Sequence, residues 1–305
     1  MVFSTTPKKN LVMRAKVMES VRLFFAQRGY LEVETPIRVP SVVPEAHIDA
    51  FLSENWYLQP SPEICMKVLL SQGYERIFQL AKCFRKNERG KRHLPEFTLL
   101  EWYAQGQHYI DFMDECEALI RYVVHQIQSN DPLIYQDNSI NILKPWERLT
   151  VEAAFDCYAS MSLVQALEAN AVDEMIAMEI EPNLGFDVPV FLYDYPISQG
   201  SNAKAKADNP SVVERFELYI AGIELCNTFT ELTDPEQQHI RFNHECQRRI
   251  DANKVIYPLP KHFLSALGSI PKAAGAALGI DRLIMLIANT NCIDDVVAFT
   301  PEQLC

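Results

Sequence analysis

The chain of 305 residues is 48% hydrophobic with only 10 glycines, enough apolar material for a sizeable core and too much for a disordered chain. Its formal charge of −12 weighs against a nucleic-acid surface, since neutralising phosphates takes clustered Lys and Arg and no basic run is longer than Arg89-Gly90-Lys91-Arg92. The eight cysteines, at 65, 83, 116, 157, 226, 246, 292 and 305, form no CxxC pair, so reduced and mostly buried thiols are expected rather than a zinc site.

In chain order, residues 1–10 are polar and lack the apolar stretch of a signal peptide. No apolar run of about 18 residues follows, so a cytoplasmic location is expected and neither export nor membrane insertion is. Val17, Val21, Phe24 and Phe25 fall at i, i+4 and i+7/8, which predicts an amphipathic helix stopping at Gly29. Residues 30–36 then read as extended and close on a proline. Ser61-Pro62-Glu63 has the order N-cap, N1 proline, first-turn acid, and predicts a helix to Leu70. Residues 76–85 and 96–104 read as strands joined by a charged stretch, and 109–129 and 162–178 as helices. A strand at 188–195 precedes a strand pair over 213–231 that turns near Ala221-Gly222. Residues 241–252 form a charged helix, and a Gly/Ala-rich segment at 274–279 leads into an apolar helix at 282–288. Strands mixed with helices, without regular βαβ alternation, predict an α+β fold with a largely antiparallel sheet flanked by helices. Residues 131–160 are the candidate boundary, and one domain with an insertion is the preferred reading.

Several polar residues stand among apolar neighbours in strands, where they are costly unless paired or used. Parity puts Phe97, Leu99, Glu101 and Tyr103 on one face, so Glu101 is either paired structurally or faces a ligand. Arg85, at a strand end, can hold a phosphate bidentately or form a surface ion pair. Glu217, Glu224, Asn227 and Glu231 lie in one apolar run. Asn227, Phe229 and Glu231 share parity and Glu224 does not, so their convergence requires a bulge or turn near 224–227. Two glutamates at one site suit Mg²⁺ completed by phosphate and water, and cross-strand salt bridging is the other reading. Gly275 and Gly279 permit close approach of a flat ligand, with Arg282 placed for a triphosphate, although helix packing accounts for two glycines equally well.

Taken together and in this order, these segments resemble the signature motifs of class II aminoacyl-tRNA synthetases. Residues 17–36 resemble motif 1, Phe84-Arg85 through Glu101-Trp102-Tyr103 motif 2, and Gly275 through Arg282 motif 3. Ser61-Pro62-Glu63, His93-x-Pro95-Glu96-Phe97-Thr98 and Glu224-Leu-x-Asn227-x-Phe229-x-Glu231 give it a lysyl-tRNA-synthetase character. The likeness covers residues 11–300. Motif 1 lies almost at the start, which leaves no room for the OB-fold anticodon domain. The expected organisation is therefore a tail at 1–10 and a class II synthetase-like catalytic domain at 11–305. This architecture, together with Glu181-Pro-Asn-Leu-Gly185 and Ala277-Leu-Gly-Ile-Asp-Arg282, resembles the truncated paralogue family of elongation factor P (R)-β-lysine ligases.

The resemblance implies an ATP-dependent, AMP-forming ligase that activates lysine or (R)-β-lysine and passes it to a lysine ε-amine of elongation factor P. It implies a homodimer and no use of tRNA. Arg85 and Arg282 would be the catalytic cations, and Glu217 and Glu224 would hold Mg²⁺. ATP would contact Arg85, Lys86, Asn87, Leu94, Phe97, Glu224, Leu225, Gly279 and Arg282. The amino acid would meet Ser61, Pro62, Glu63, Glu101, Tyr103, Asn227, Glu231 and Ala277, with Glu63 on the backbone-side amine and Glu101, Tyr103, Asn227 and Glu231 on the distal ammonium. Cys226 would be wall. Two positions depart from the pattern: Asn87 stands where the family has glutamate, with Glu88 one place late, and Leu94, which cannot hydrogen-bond, stands for asparagine. Two other readings are an adenylate-forming enzyme serving tRNA or a small molecule, and a catalytically silent binding module.

Overall fold

The computed structural model describes residues 6–128, 132–200 and 202–304. Cys305, the first half of the expected tail and the last residue of the helix expected at 109–129 lie outside these. Helix α1 (Lys8–Gln27) buries Val17, Val21, Phe24 and Phe25 and ends before Gly29, whose φ of +74° reverses the chain. The extended segment after it joins the large sheet through β1 (Leu31–Glu32) and the Val33 amide. A small sheet follows from β2 (Arg38–Val39), β3 (Leu52–Ser53) and β4 (Trp56–Leu58). Helix α2 (Glu63–Ser71) is entered through Pro62, and the Ser61 hydroxyl accepts from the Glu63 amide at 3.0 Å. Strands β5 (Arg76–Phe84) and β6 (Glu96–Gln105) pair antiparallel, and α3 (Tyr109–Ile127) is capped reciprocally by His108 and Asp111.

The candidate boundary region holds β7 (Leu133–Tyr135), β8 (Asn138–Ile140), β9 (Glu147–Thr150) and α4 (Val151–Tyr158). The helix expected at 162–178 is broken into α5 (Leu163–Glu168), α6 (Val172–Met175) and a wider turn over Ile176–Ile180. Asn170, at φ +53°, interrupts the hydrogen-bond ladder between the first two. Strand β10 (Val190–Pro196) leads to the hairpin of β11 (Val212–Ile220) and β12 (Ile223–Thr230), closed by Ala221 and Gly222, both at positive φ. Helix α7 (Pro235–Asp251) starts earlier than its charge pattern suggests, because Asp234 caps the amides of Glu236 and Gln237 and Pro235 follows it. Helix α8 (Lys261–Leu267) has no counterpart among the expected elements.

The Gly/Ala-rich segment is itself a strand, β13 (Ala273–Gly279), followed by α9 (Ile280–Ile287). The eight-stranded sheet runs β1-β5-β6-β13-β12-β11-β10-β9, with only the outer pairs β1/β5 and β9/β10 parallel, so the fold is α+β. One face packs on α1, α3 and α9, where Phe25 stacks on Phe78 and Trp102 on Phe112. Cys226 lies on this face, its sulfur 3.9 Å from that of Cys116, and so lines the helix layer. The seven cysteines within the described residues are unpaired thiols, with Cys83, Cys116 and Cys226 buried and Cys157 exposed.

Asp281 ties the start of α9 to both neighbouring layers. Its carboxylate accepts from the Thr98 amide at 2.7 Å and pairs with Arg14 of α1 at 2.5 Å. Asp281→Ala leaves a guanidinium and a buried amide without this partner. An expected loss of about 3 kcal/mol would appear as a lower urea midpoint at unchanged slope.

Candidate active site

The sheet face away from α1 and α3 carries the chemistry. Cross-strand register sets Gln79, Glu101, Ala277, Asn227 and Glu217 in one row and Ile77, Tyr103, Gly275, Phe229 and Arg215 in the next. Leu218 opposes Cys226 but Tyr219 opposes Glu224, so Leu225 is a bulged residue and Glu224 is turned onto the face of Asn227. This is the irregularity that convergence of the four polar residues demands. Gly275, Ala277 and Gly279 of β13 make a floor of small side chains between two charged ends.

Above that floor is a cavity of about 760 Å³. Ser61, Glu63, Glu101, Tyr103, Asn227 and Ala277 line it, as do Arg85, Leu94, Phe97, Glu224, Leu225, Gly279 and Arg282. At one end, Glu101 accepts from Ser61 Oγ at 2.5 Å and from the Tyr103 hydroxyl at 2.9 Å. At the other, Arg282 donates to the Glu224 backbone oxygen at 2.8 Å, to Glu224 Oε2 at 3.0 Å and to His93 Nε2 at 2.6 Å. That last bond needs Nε2 unprotonated. Burial and the Arg282 charge hold the His93 ring down at about 4, so it stays neutral and its proton sits on Nδ1. Burial pushes Glu224 up, but Arg282 in contact outweighs it and holds the carboxyl below its ordinary range. Arg85 lies over the Phe97 ring at 5.1 Å, and its buried Nε has no hydrogen-bond partner among the described residues. A guanidinium donor left open beside a cavity suits an incoming phosphate oxygen.

Five expected contacts are not on the cavity wall. Lys86 and Asn87 do not line it. Asn87 takes up a left-handed turn at φ +67°, and this extra residue brings Glu88 to the wall in its place. Pro62 is the entry to α2 and leaves the lining to its neighbours Ser61 and Glu63. Glu231 is buried beside Tyr103 over Gly275, off the wall, and ion-paired with Lys67. Glu217 is also off the wall: one carboxylate oxygen accepts from Tyr195 at 2.5 Å and Tyr219 at 2.6 Å, the other from Arg215 at 2.5 Å. Residues that local pattern did not single out also reach the wall, namely Glu45 and Arg92, and Lys67 lies just behind it. His93 was visible only as part of a motif.

The same geometry decides the fit of Mg²⁺. Glu224 offers a carboxylate at the cavity wall beside the two arginines. Glu217, with both oxygens taken by three donors, does not fit as a second ligand in this arrangement. Among the described residues no group of three His, Cys, Asp or Glu side chains is placed to hold a metal. One carboxylate with phosphates and water would have to suffice.

Burial, then Glu63, pushes Glu101 up to about 7 from its ordinary 4.5, and the same two causes push Glu45 at the rim to about 7. A cationic ligand binds the ionised carboxylate, so its KM is expected to fall as pH rises from about 6 to 8. Stability of the free protein runs the other way. A carboxyl whose folded-state value is raised binds its proton more tightly when folded, so its contribution is full below 4.5 and is lost as pH rises through about 7. For Glu101 the loss is on the order of 3 kcal/mol. Thermal melts across that range should show it, and a bound cation should shrink it.

No helix among the described residues is long and apolar enough to cross a membrane. The family model described as tRNA synthetases class II (D, K and N) matches residues 2–303. An elongation factor P–(R)-β-lysine ligase of Vibrio vulnificus (strain YJ016) is 36% identical over 313 residues, covering 97% of this chain and 96% of the relative. Ligases of the same description from Proteus mirabilis (strain HI4320) and Vibrio cholerae serotype O1 are 35% and 36% identical. They cover 95% and 97% of this chain and 94% and 96% of their own.

Proposed function

Since the chain belongs to the class II tRNA synthetases of the D, K and N type, and within them to the elongation factor P–(R)-β-lysine ligases, we propose that it activates (R)-β-lysine with ATP and transfers it to a lysine ε-amine of elongation factor P. It is an ATP-dependent ligase. The observation that carries the substrate reading is the polarity of the cavity: Arg85 and Arg282 at one end, Glu63 and Glu101 at the other, and a floor of Gly275, Ala277 and Gly279 between. A diamino acid with its carboxylate at one end and an ammonium at the other lies along such a field with its carboxylate at the arginines and its distal ammonium at Glu101.

In this reading Arg85 binds the α-phosphate and Arg282 the terminal phosphate, once ATP displaces its contacts to Glu224 and His93. Phe97 and the Arg282 stem offer faces for adenine, while Leu94, buried on the wall, contributes shape alone. The substrate carboxylate attacks the α-phosphorus in line, the bond to the β-phosphate oxygen breaks, and pyrophosphate leaves. The acceptor ε-amine then attacks the acyl carbon of the adenylate, forming an amide and releasing AMP and a proton. No enzyme nucleophile takes part. Mg²⁺ held by Glu224 and the phosphates would neutralise phosphate charge. The Ser61 and Tyr103 hydroxyls fix Glu101, which receives an ammonium as it ionises.

The charge of −12 favours a protein acceptor over a polyanion such as tRNA. A homodimer in a cytoplasmic enzyme completes the reading. Exposed Val12 and Leu23 of α1, with Leu31 and Ile37 after it, are the apolar side chains such an interface would cover. ATP–pyrophosphate exchange with α-lysine, both β-lysines and ornithine tests activation, and mass spectrometry of elongation factor P tests transfer. Exchange that is strongest with (R)-β-lysine and one added residue on the factor are expected. Exchange with none of the four would overturn the activity, and exchange without mass gain would overturn the acceptor.

A further inference from the structure

Helix α2 carries a buried cation to which the catalytic scheme above gives no part. The Lys67 side chain is 1% exposed, with Nζ 2.6 Å from Glu63 Oε1 one turn earlier and in contact with Glu231 Oε2 at the end of β12. It also lies 4.9 Å from the centroid of the Phe229 ring. Glu63 Oε1 accepts in addition from Asn202 Nδ2 at 2.7 Å, and Asn202 Oδ1 accepts from Gln238 Nε2 at 2.9 Å. Asn202 and Gln238 are 2% and 1% exposed. A buried polar chain therefore runs from α7 through Asn202 to Glu63, Lys67 and Glu231, directly behind the amine end of the cavity.

An isolated ammonium would not stay charged at such depth. Burial does pull Lys67 down, but Glu231 and Glu63 outweigh it and hold its proton firmly. The reciprocal effect matters more for the ligand. Glu63, Glu101 and Glu231 lie close enough to repel one another, with Tyr103 of β6 among them. Burial pushes Glu231 up, Glu63 and Glu101 add to that, and Lys67 is the counter-charge that opposes it. Glu231 Oε1 has no hydrogen-bond partner among the described residues and lies 2.6 Å from where a Cβ at Gly275 would stand, so it reaches the floor only through the gap that glycine leaves. With a diamino acid bound, three ionised carboxylates and one fixed ammonium would leave two negative charges for its two ammonium groups.

We propose that Lys67, braced through Glu63 by Asn202 and Gln238, is a positioning residue for the diamino acid, orienting Glu63 and Glu231 and supplying the counter-charge that leaves the ligand-bound pocket two negative charges. This rests on the reading that the cavity takes a diamino acid. Lys67→Met keeps the length of the side chain and removes its charge. In ATP–pyrophosphate exchange with (R)-β-lysine and α-lysine, its KM for the amino acid is expected to rise about 10- to 100-fold, the worth of one charged hydrogen-bonded contact, with kcat within a few-fold. Lys67→Ala should regain activity with propylammonium but not with propanol.

A readout without substrate accompanies these. Glu231 is already raised to about 8 beside Lys67 and would rise further without it, so thermal melts of Lys67→Met should go on losing stability above about pH 8, where the parent levels off. Asn202→Ala removes a neutral donor to Glu63, and the acceptor of Gln238, without touching Lys67, and carries the KM test if Lys67→Met does not fold. Unchanged KM in the folded variants, or rescue by propanol as good as by propylammonium, would overturn the proposal. If the parent exchanges with neither diamino acid, the activation reading falls by itself. The melts still decide Lys67, and identical pH profiles would count against it.

Discussion

Gly275→Ala is expected to abolish activation of the amino acid while leaving ATP binding nearly intact. An alanine Cβ at this point of β13 would stand 2.2 and 2.4 Å from Tyr103 Cε1 and Cδ1 and 2.6 Å from Glu231 Oε1. Neither neighbour can yield cheaply. Tyr103 is 3% exposed and donates to Glu101, and Glu231 is buried and paired with Lys67. Relieving the contact means displacing the tyrosine, the carboxylate or the strand, and each change disorders the amine end. The loss of two charged hydrogen-bonded contacts corresponds to about 100- to 1000-fold or more in kcat/KM for the amino acid. Overpacking adds about 1–3 kcal/mol of destabilisation. Gly279→Ala, four residues along the same strand, is the control. Its Cβ would meet Arg282 Cδ at 3.6 Å, an ordinary contact, so packing is undisturbed and any loss should fall on ATP rather than on the amino acid. Isothermal titration with a non-hydrolysable ATP analogue, beside exchange kinetics, separates the two ends of the cavity. Equal losses in both variants would contradict the placement of the amine end.

Arg85→Ala is expected to cost about 10³-fold in the rate of adenylate formation with little change in thermal stability. The two halves of that statement have one cause. In the free protein this guanidinium spends little of its bonding capacity: Nε has no hydrogen-bond partner among the described residues, and Glu88 is 3.9 Å from Nη1. Removing it therefore breaks few folded-state contacts. The same open donors become bonded when a phosphate arrives, and bonded most strongly as charge builds on the α-phosphoryl oxygens. Arg85→Lys keeps the charge and loses the fork, so an intermediate rate is expected. Pre-steady-state burst measurements of pyrophosphate release give the chemical step directly. A variant that melts early and reacts normally would assign Arg85 to the fold instead.

Much of the site was legible in the sequence wherever one strand or one helix supplied the whole signal. Parity alone put Leu99, Glu101 and Tyr103 on one face, and the four apolar residues of α1 gave its buried stripe. The misses have a common source, since each depended on something outside its own segment. Ala273–Gly279 has a composition that suits a helix as well as a strand, and it is a strand because β6 and β12 pair with it on both sides. Its small residues then become a requirement, because Tyr103 and Glu231 close over Gly275. Glu217 has the sequence context of a metal ligand, yet Tyr195, Arg215 and Tyr219 converge on it from two strands.

What the sequence determined by itself is the set of faces and the identity of the charged groups, because periodicity and motif order are local properties that survive without a fold. Those were enough to reach the family and its chemistry. The tertiary structure decided which charges meet and which oxygens remain open. A single bulged residue, Leu225, turns Glu224 to the cavity, and a single left-handed residue, Asn87, exchanges itself for Glu88 on the wall. Lys67, four residues after Glu63 on α2, was not singled out by local pattern. It is buried and counts in the charge of the site because β12, from a distant part of the chain, brings Glu231 against it.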